Sequence, residues 1–243
     1  MTHRIALYQD YVHNNGSLVL ALQDAGASIV QVDAAAIIGG ALAHVDTFVM
    51  PGGADLYYCE KLNGAANKTI RTFVEAGGSY FGICAGAYYG CTALDWNDHQ
   101  IDGARELGFV NATASGPIRA YMQNGDIEQS WYGAPVLEWQ GRSFKTLYAA
   151  GPLFKNITGD IDVIARYVGG EPAVIGKRVG AGYVVLSSPH IEVTATRFSN
   201  GRYSHNAKSE VYERQIAAEL MPYNAIQQEF FAFVLKMLKE IKP

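Results

Sequence analysis

Over residues 1–90, short apolar runs alternate with stretches of helical spacing. Residues 5–8 predict a first β-strand, 17–25 a helix ending at Gly26, and 28–32 a second strand. Residues 34–38 form a short helical piece before Gly39-Gly40, and 45–50 a third strand that enters Pro51-Gly52-Gly53. In 67–76, Ile70, Phe73 and Val74 recur at helical spacing and the pattern stops at Gly77-Gly78; 79–83 is a fourth strand running straight into Cys84. This rhythm predicts a parallel sheet with right-handed crossovers.

The pattern loosens over roughly 97–150, where Gly, Ser and aromatic residues suggest short antiparallel strands and loops over the sheet edge. It sharpens again in strands over 162–167, 173–178 and 183–187, the last two joined by a hairpin at 180–182, and in amphipathic helices over 210–220 and 225–241 separated by Pro222. No repeat or linker interrupts the chain, which reads as one domain over 1–243. The fold class is α/β: a three-layer sandwich with a flavodoxin-like, mostly parallel sheet and a small antiparallel extension.

Composition narrows this picture. The 243 residues are 49% hydrophobic and 17% charged, enough to bury a sizeable core. A net charge of −4 supplies no basic field for nucleic acid or an anionic membrane surface. The three cysteines, Cys59, Cys84 and Cys91, lack zinc-type spacing and make an odd set, which favours a reduced, cytoplasmic setting over a disulfide framework. The N-terminal apolar run is short and reads as a strand rather than a signal segment, and none is long enough to span a bilayer.

The candidate chemistry lies at Gly82-Ile83-Cys84-Ala85-Gly86, a strand running into Gly-x-Cys-x-Gly before helical residues begin. This is a nucleophile elbow with sulfur in place of a serine oxygen. A strained cysteine needs small neighbours two residues away, and Gly82 and Gly86 supply them. The following helix would point its N-terminus at the sulfur, and the Ala85 amide would face a developing oxyanion. Pro51-Gly52-Gly53 suits a second donor from Gly53, although a glycine pair there also fits a plain turn. After the strand at 183–187, His190 and Glu192 lie two residues apart in a segment read as extended, so both face one side. Glu192 can then orient His190, leaving the other ring nitrogen for Cys84. Cys59 and Cys91 read as structural, Cys91 two turns further along the helix that follows Cys84.

These segments resemble class I glutamine amidotransferase-like domains. They are most similar to the domain at the N-terminus of fungal-type biotin–protein ligases and to its stand-alone bacterial relatives. The matching stretches are 51–58, Leu62-Asn63-Gly64, 73–78, 82–90, 105–109 and Pro189-His190-Ile191-Glu192. The resemblance implies a cysteine hydrolase or amidotransferase acting on a C–N amide through Cys84, His190 and Glu192, with no metal or organic cofactor and a small-molecule or amide substrate. It does not imply ligation, whose catalytic domain is a separate region. Glutaminases of this type usually carry Gln in the turn after the cysteine and read His-Pro-Glu. This chain has Ala87-Tyr88-Tyr89 and His190-Ile191-Glu192, so a group that helps recognise glutamine is absent.

Other readings stay open at this level. The chain could be a binding or regulatory module that keeps the elbow without turnover. It could instead belong with the PfpI-type proteins, which pair the cysteine with a carboxylate just after the first strand; Asp10 is the local candidate, with His13 and Asn14 beside it. Gly52, Asp55, Tyr58, Tyr88 and Tyr132 are candidate pocket residues; Tyr57 and Tyr89 share with the other tyrosines the alternative of plain aromatic packing. Arg105 and Arg119 sit in the irregular middle that could cover the site. Oligomeric state is not legible.

Overall fold

The computed structural model describes residues 2–10, 15–122, 125, 130–201 and 207–240; of 207–209 it describes only the backbone. His13 and Asn14 lie outside the described residues. The first half of the chain runs β1 (Arg4–Tyr8), α1 (Gly16–Asp24), β2 (Ser28–Val32), α2 (Ala34–Ile38), β3 (Thr47–Met50), α3 (Asp55–Leu62), α4 (Ala65–Glu75), β4 (Ser79–Ile83) and α5 (Ala85–Gly90). It continues through β5 (Cys91–Trp96), β6 (Ile101–Ala104), β7 (Val110–Gly116), β8 (Tyr132–Gly133), β9 (Val136–Trp139), β10 (Arg142–Lys145), β11 (Tyr148–Ala149) and β12 (Leu153–Lys155). The last part comprises β13 (Asp162–Tyr167), β14 (Pro172–Val179), β15 (Gly182–Ser187), α6 (Ala195–Asn200), α7 (Ala207–Leu220) and α8 (Asn224–Glu240).

The main sheet has the order β10-β9-β13-β14-β15-β4-β3-β1-β2. Its half from β15 to β2 is parallel, and its half from β10 to β15 is antiparallel. A second sheet, β12-β7-β5-β6, is mixed, with β5 parallel to β7 and its two outer strands antiparallel, and a short antiparallel β11-β8 pair completes the extension. Burial explains the split. β1, β3, β4 and β15 carry apolar residues on both faces, as strands covered by helices on both sides must.

Alternate side chains sort into two cores. Ile5, Leu7, Val49, Phe81, Ile83 and Val185 face α8 and its Phe230, Phe231, Val234 and Leu238. Ala6, Tyr8, Phe48, Met50, Tyr80 and Leu186 face the opposite layer, with Tyr58 of α3 and Ile70 and Val74 of α4. Each fully buried large apolar side chain contributes roughly 1.5–3 kcal/mol before the entropy of ordering is counted. A third cluster joins Leu147 to Val193, Phe198 and Ile216, so α6 and α7 cap the ground beside the end of β15.

The structure corrects one expectation about the segment after the elbow. α5 ends at Gly90 and Cys91 opens β5, so Cys91 is not two turns along a continuing helix. A Cβ at Gly90 would sit 2.5 Å from Leu186, and the chain leaves the sheet face there to pair β5 with β7. The helix at Asp55–Leu62, directly after Pro51-Gly52-Gly53, is not evident from spacing; its first turn mixes exposed Leu56 and Tyr57 with buried Asp55 and Tyr58.

The elbow glycines are required by contact. A Cβ on Gly82 would lie 2.4 Å from the Gly86 carbonyl oxygen, and one on Gly86 would lie 2.2 Å from that of Met50. Both obstacles are backbone and cannot rotate away. Gly86→Ala is therefore expected to destabilise the chain by about 3 kcal/mol or more, read as a lower midpoint in urea unfolding. An unchanged midpoint would contradict this packing.

Candidate active site

Three neighbouring parallel strands deliver the site. Ile83 of β4 pairs with Ser187 of β15, and Gly82 pairs with Met50 of β3, so the chain leaves all three strands at one level. Pro51-Gly52-Gly53 follows β3, Cys84 follows β4, and Ser188-Pro189-His190 follows β15. The Cys84 amide donates to the Ser187 carbonyl at 2.9 Å, and the Gly86 amide donates to that of Pro51 at 3.1 Å.

Cys84 has φ 52° and ψ −105°, a conformation costly for a residue with a Cβ, on the order of 1–3 kcal/mol. The surrounding hydrogen bonds over-determine it. Its carbonyl accepts from the amides of Ala87 and Tyr88, and the Tyr80 hydroxyl donates to the Gly86 carbonyl at 2.8 Å. With the Gly86, Ala87 and Tyr88 amides committed, the Ala85 amide is the one in this turn without a backbone acceptor among the described residues.

His190 stands between sulfur and carboxylate. Its Nδ1 lies 2.7 Å from Glu192 Oε1, and the Cys84 sulfur lies near enough to favour the charged ring. Burial alone would pull the imidazole below its usual 6.5, but the Glu192 carboxylate and the Cys84 sulfur outweigh it and hold His190 well above that value. Glu192 is 4% exposed, and its second oxygen has no partner among the described residues, so the imidazole is what this buried carboxylate is tied to. The two side chains meet through a turn rather than an extended strand: the Ile191 amide reaches the Pro189 carbonyl and the Val193 amide that of His190. Gly52 packs directly on this pair; a Cβ there would lie 2.8 Å from His190 Cε1 and 3.6 Å from Cys84 Cβ.

The remaining candidates divide. Tyr58 lies under the Pro51-Gly52 loop, donating to both carbonyls, and Tyr88 donates to the Ala150 carbonyl at 3.1 Å. Asp55 is instead committed to Arg105 in a buried ion pair at 2.5 Å. Tyr132 pairs in register with Ala149, but its ring packs edge-on against Phe198, toward α6. Asp10 takes the Ala34 amide and the Tyr8 hydroxyl. Arg119 bonds Asn97 and Asp98 on the surface, and Tyr57 is 43% exposed.

Sequence reasoning missed a strap over 147–151. The Cys84 thiol donates to the Ala149 carbonyl at 3.2 Å, and the His190 amide donates to that of Leu147 at 2.8 Å. Tyr148 donates to the Gly151 carbonyl at 2.9 Å, and Tyr167 bonds Ser188 at 2.7 Å. The available signal was Gly151-Pro152, which marks a chain reversal but not where it lands. Burial pushes Tyr58, Tyr88, Tyr148 and Tyr167 far above the usual phenol value, so all four stay neutral; the first three donate to backbone carbonyls around the sulfur, and Tyr167 pairs with the Ser188 hydroxyl. Tyr88 also stacks edge-on against Trp96, which meets half-exposed Trp131.

Comparison with known proteins places this geometry. The family model described as biotin-protein ligase, N terminal, matches residues 16–241. A protein of Chlamydia muridarum described as uncharacterized is 37% identical over 154 residues, 59% of this chain and 59% of its own length. The biotin–protein ligase of Schizosaccharomyces pombe is 30% identical over 160 residues, 60% of this chain but only 25% of the ligase. The chain thus spans less than two thirds of each relative. A glutamine amidotransferase from Thermotoga maritima superposes over 99% of both chains with a TM-score of 0.61 at 13% identity, a likeness of fold. No helix among the described residues is long and apolar enough to cross a membrane.

The raised His190 value carries a sign. A folded-state value above the unfolded one adds stability below about pH 6.5, lost as pH rises through the folded value. The His190 ring, followed by NMR, is expected to titrate above 6.5, with Glu192→Gln moving the midpoint down. A wild-type midpoint at or below 6.5 would contradict the arrangement.

Proposed function

The chain belongs to the biotin–protein ligase N-terminal family, and from that premise we propose that it is a cysteine-dependent, amidotransferase-like hydrolase acting on a C–N amide bond. The observation that carries this reading is His190, tied to the buried Glu192 carboxylate at 2.7 Å and packed with Cys84 against the same Gly52 loop. His190 takes the thiol proton, and the thiolate attacks the amide carbonyl carbon. The oxyanion develops between the Gly53 and Ala85 amides. His190 then gives its proton to the leaving amine, and the C–N bond breaks to leave a thioester on Cys84. Water, deprotonated by His190, resolves the thioester to a carboxylic acid and restores the thiol; an amine in place of water would complete a transfer. Glu192 holds the ring in one tautomer and balances its charge throughout.

Glutamine is not the substrate favoured here. Tyr88 stands in the turn where related glutaminases carry Gln, and its hydroxyl is spent on the Ala150 carbonyl. The aromatic line through Trp96 to Trp131 suits an amide with an apolar or planar acyl group instead. A second reading, a binding or regulatory module that keeps the elbow, is favoured by the strap, whose Ala149 carbonyl engages the resting thiol.

An activated ester separates the two. p-Nitrophenyl acetate is expected to release p-nitrophenolate in a burst matching one acetyl group per chain, located on Cys84 by mass spectrometry. Cys84→Ala should abolish the burst, and His190→Ala should slow it by about a hundred-fold or more. A burst that survives Cys84→Ala, or none in the wild type, would leave the binding reading standing.

A further inference from the structure

The glycine pair that lets the loop after β3 approach the sulfur also leaves it loose. Gly52 has no room for a side chain against His190, and Gly53 has φ 155°, where other residues are strained. A peptide between two glycines can turn over with little steric resistance. If the Gly52–Gly53 peptide turned over, its amide would leave the sulfur and its carbonyl oxygen would replace it, opposing negative charge where a donor is needed.

One side chain removes that freedom. Tyr58, on the first turns of α3, is fully buried, and its hydroxyl is shared between the Pro51 carbonyl at 3.0 Å and the Gly52 carbonyl at 3.1 Å. The only cis peptide among the described residues is Gly116–Pro117, so the Gly52–Gly53 peptide is trans and its N–H points opposite its C=O. With the carbonyl held down on Tyr58, the Gly53 amide faces away from that ring, and His190 and Cys84 pack against the same loop at Gly52. The Pro51 carbonyl is held a second time by the Gly86 amide, tying the loop to the elbow itself. The Tyr58 ring is wedged edge-on between Tyr8 at 5.6 Å and Tyr89 at 5.9 Å, so the hydroxyl has little freedom to follow a turning peptide.

We infer that Tyr58 is a positioning residue for the oxyanion site, its hydroxyl locking the Gly52–Gly53 peptide with the amide toward the sulfur. This rests on the acyl-transfer reading above and names what makes its second donor dependable. Tyr58 touches no reacting atom.

Two probes of the same sulfur isolate this role. Acylation by p-nitrophenyl acetate passes through an oxyanion; alkylation by iodoacetamide displaces iodide at a saturated carbon and does not. Tyr58→Phe keeps the ring and removes the hydroxyl. It is expected to slow Cys84 acylation about ten-fold or more while alkylation stays within about two-fold of wild type. Tyr8→Phe, in the same ring cluster but with its hydroxyl on Asp10 rather than on the loop, should change neither rate. If Tyr58→Phe is not recovered folded, 4-aminophenylalanine at position 58 keeps the shape with a weaker donor, and should slow acylation alone to a smaller degree. Equal slowing of both reactions, or unchanged acylation in either variant, would overturn the positioning role. Absence of acylation in the wild type would instead overturn the acyl-transfer reading and this inference with it.

Discussion

The register of three adjacent parallel strands is the constraint on which the rest of the site depends. Met50 opposite Gly82, and Ile83 opposite Ser187, set the ends of β3, β4 and β15 level with one another. A one-residue slip of β4 would exchange its two faces, sending Phe81 and Ile83 into the layer that holds Tyr80. Both faces are buried, so that slip is excluded by packing as well as by hydrogen bonds. Because the register cannot move, neither can the origins of the loops carrying Gly53, Cys84 and His190. The strain in Cys84 persists for the same reason: its amide is tied to Ser187, and glycines on either side leave the backbone nowhere better to go.

On that frame the electrostatics are local and buried. Four tyrosines enclose the sulfur, each spending its hydroxyl on backbone or on Ser188 rather than on solvent. A water-poor surround strengthens the interaction of His190 with Glu192 and with the thiol. It also explains how the imidazole is held above its usual value although burial acts the other way. The strap at 147–151 belongs to the same enclosure, reaching the sulfur through Ala149, His190 through Leu147 and the α6–α7 cap through the Leu147 side chain.

What was legible in the chain follows from how local each signal is. Gly82, Cys84 and Gly86 announce an elbow because the strain and its relief lie within five residues. The strand at Ser79–Ile83 coincides with its apolar run because burial on the sheet dictates its composition residue by residue; those at Ser28–Val32 and Asp162–Tyr167 also keep their bounds, although both are only partly buried. The pairing of His190 with Glu192 was readable from spacing, although a turn rather than an extended segment brings them together. Features made by distant partners were not. Nothing near Ala149 signals that its carbonyl meets a thiol 65 residues away, or that Asp55 pairs with Arg105 fifty residues on. Cys91 looked like more helix because Tyr88, Tyr89 and Cys91 are apolar at either period; the parallel pairing of β5 with β7 decides the matter.

The proposed chemistry requires that the elbow and the His190–Glu192 pair together make the Cys84 sulfur a nucleophile. The direct measurement is the rate at which iodoacetamide alkylates Cys84 at about pH 7, followed in the wild type and in His190→Gln. Alkylation faster than that of a free cysteine, and slowed by His190→Gln, is the expected result. A wild type no faster than free cysteine, or a rate indifferent to His190, would contradict it.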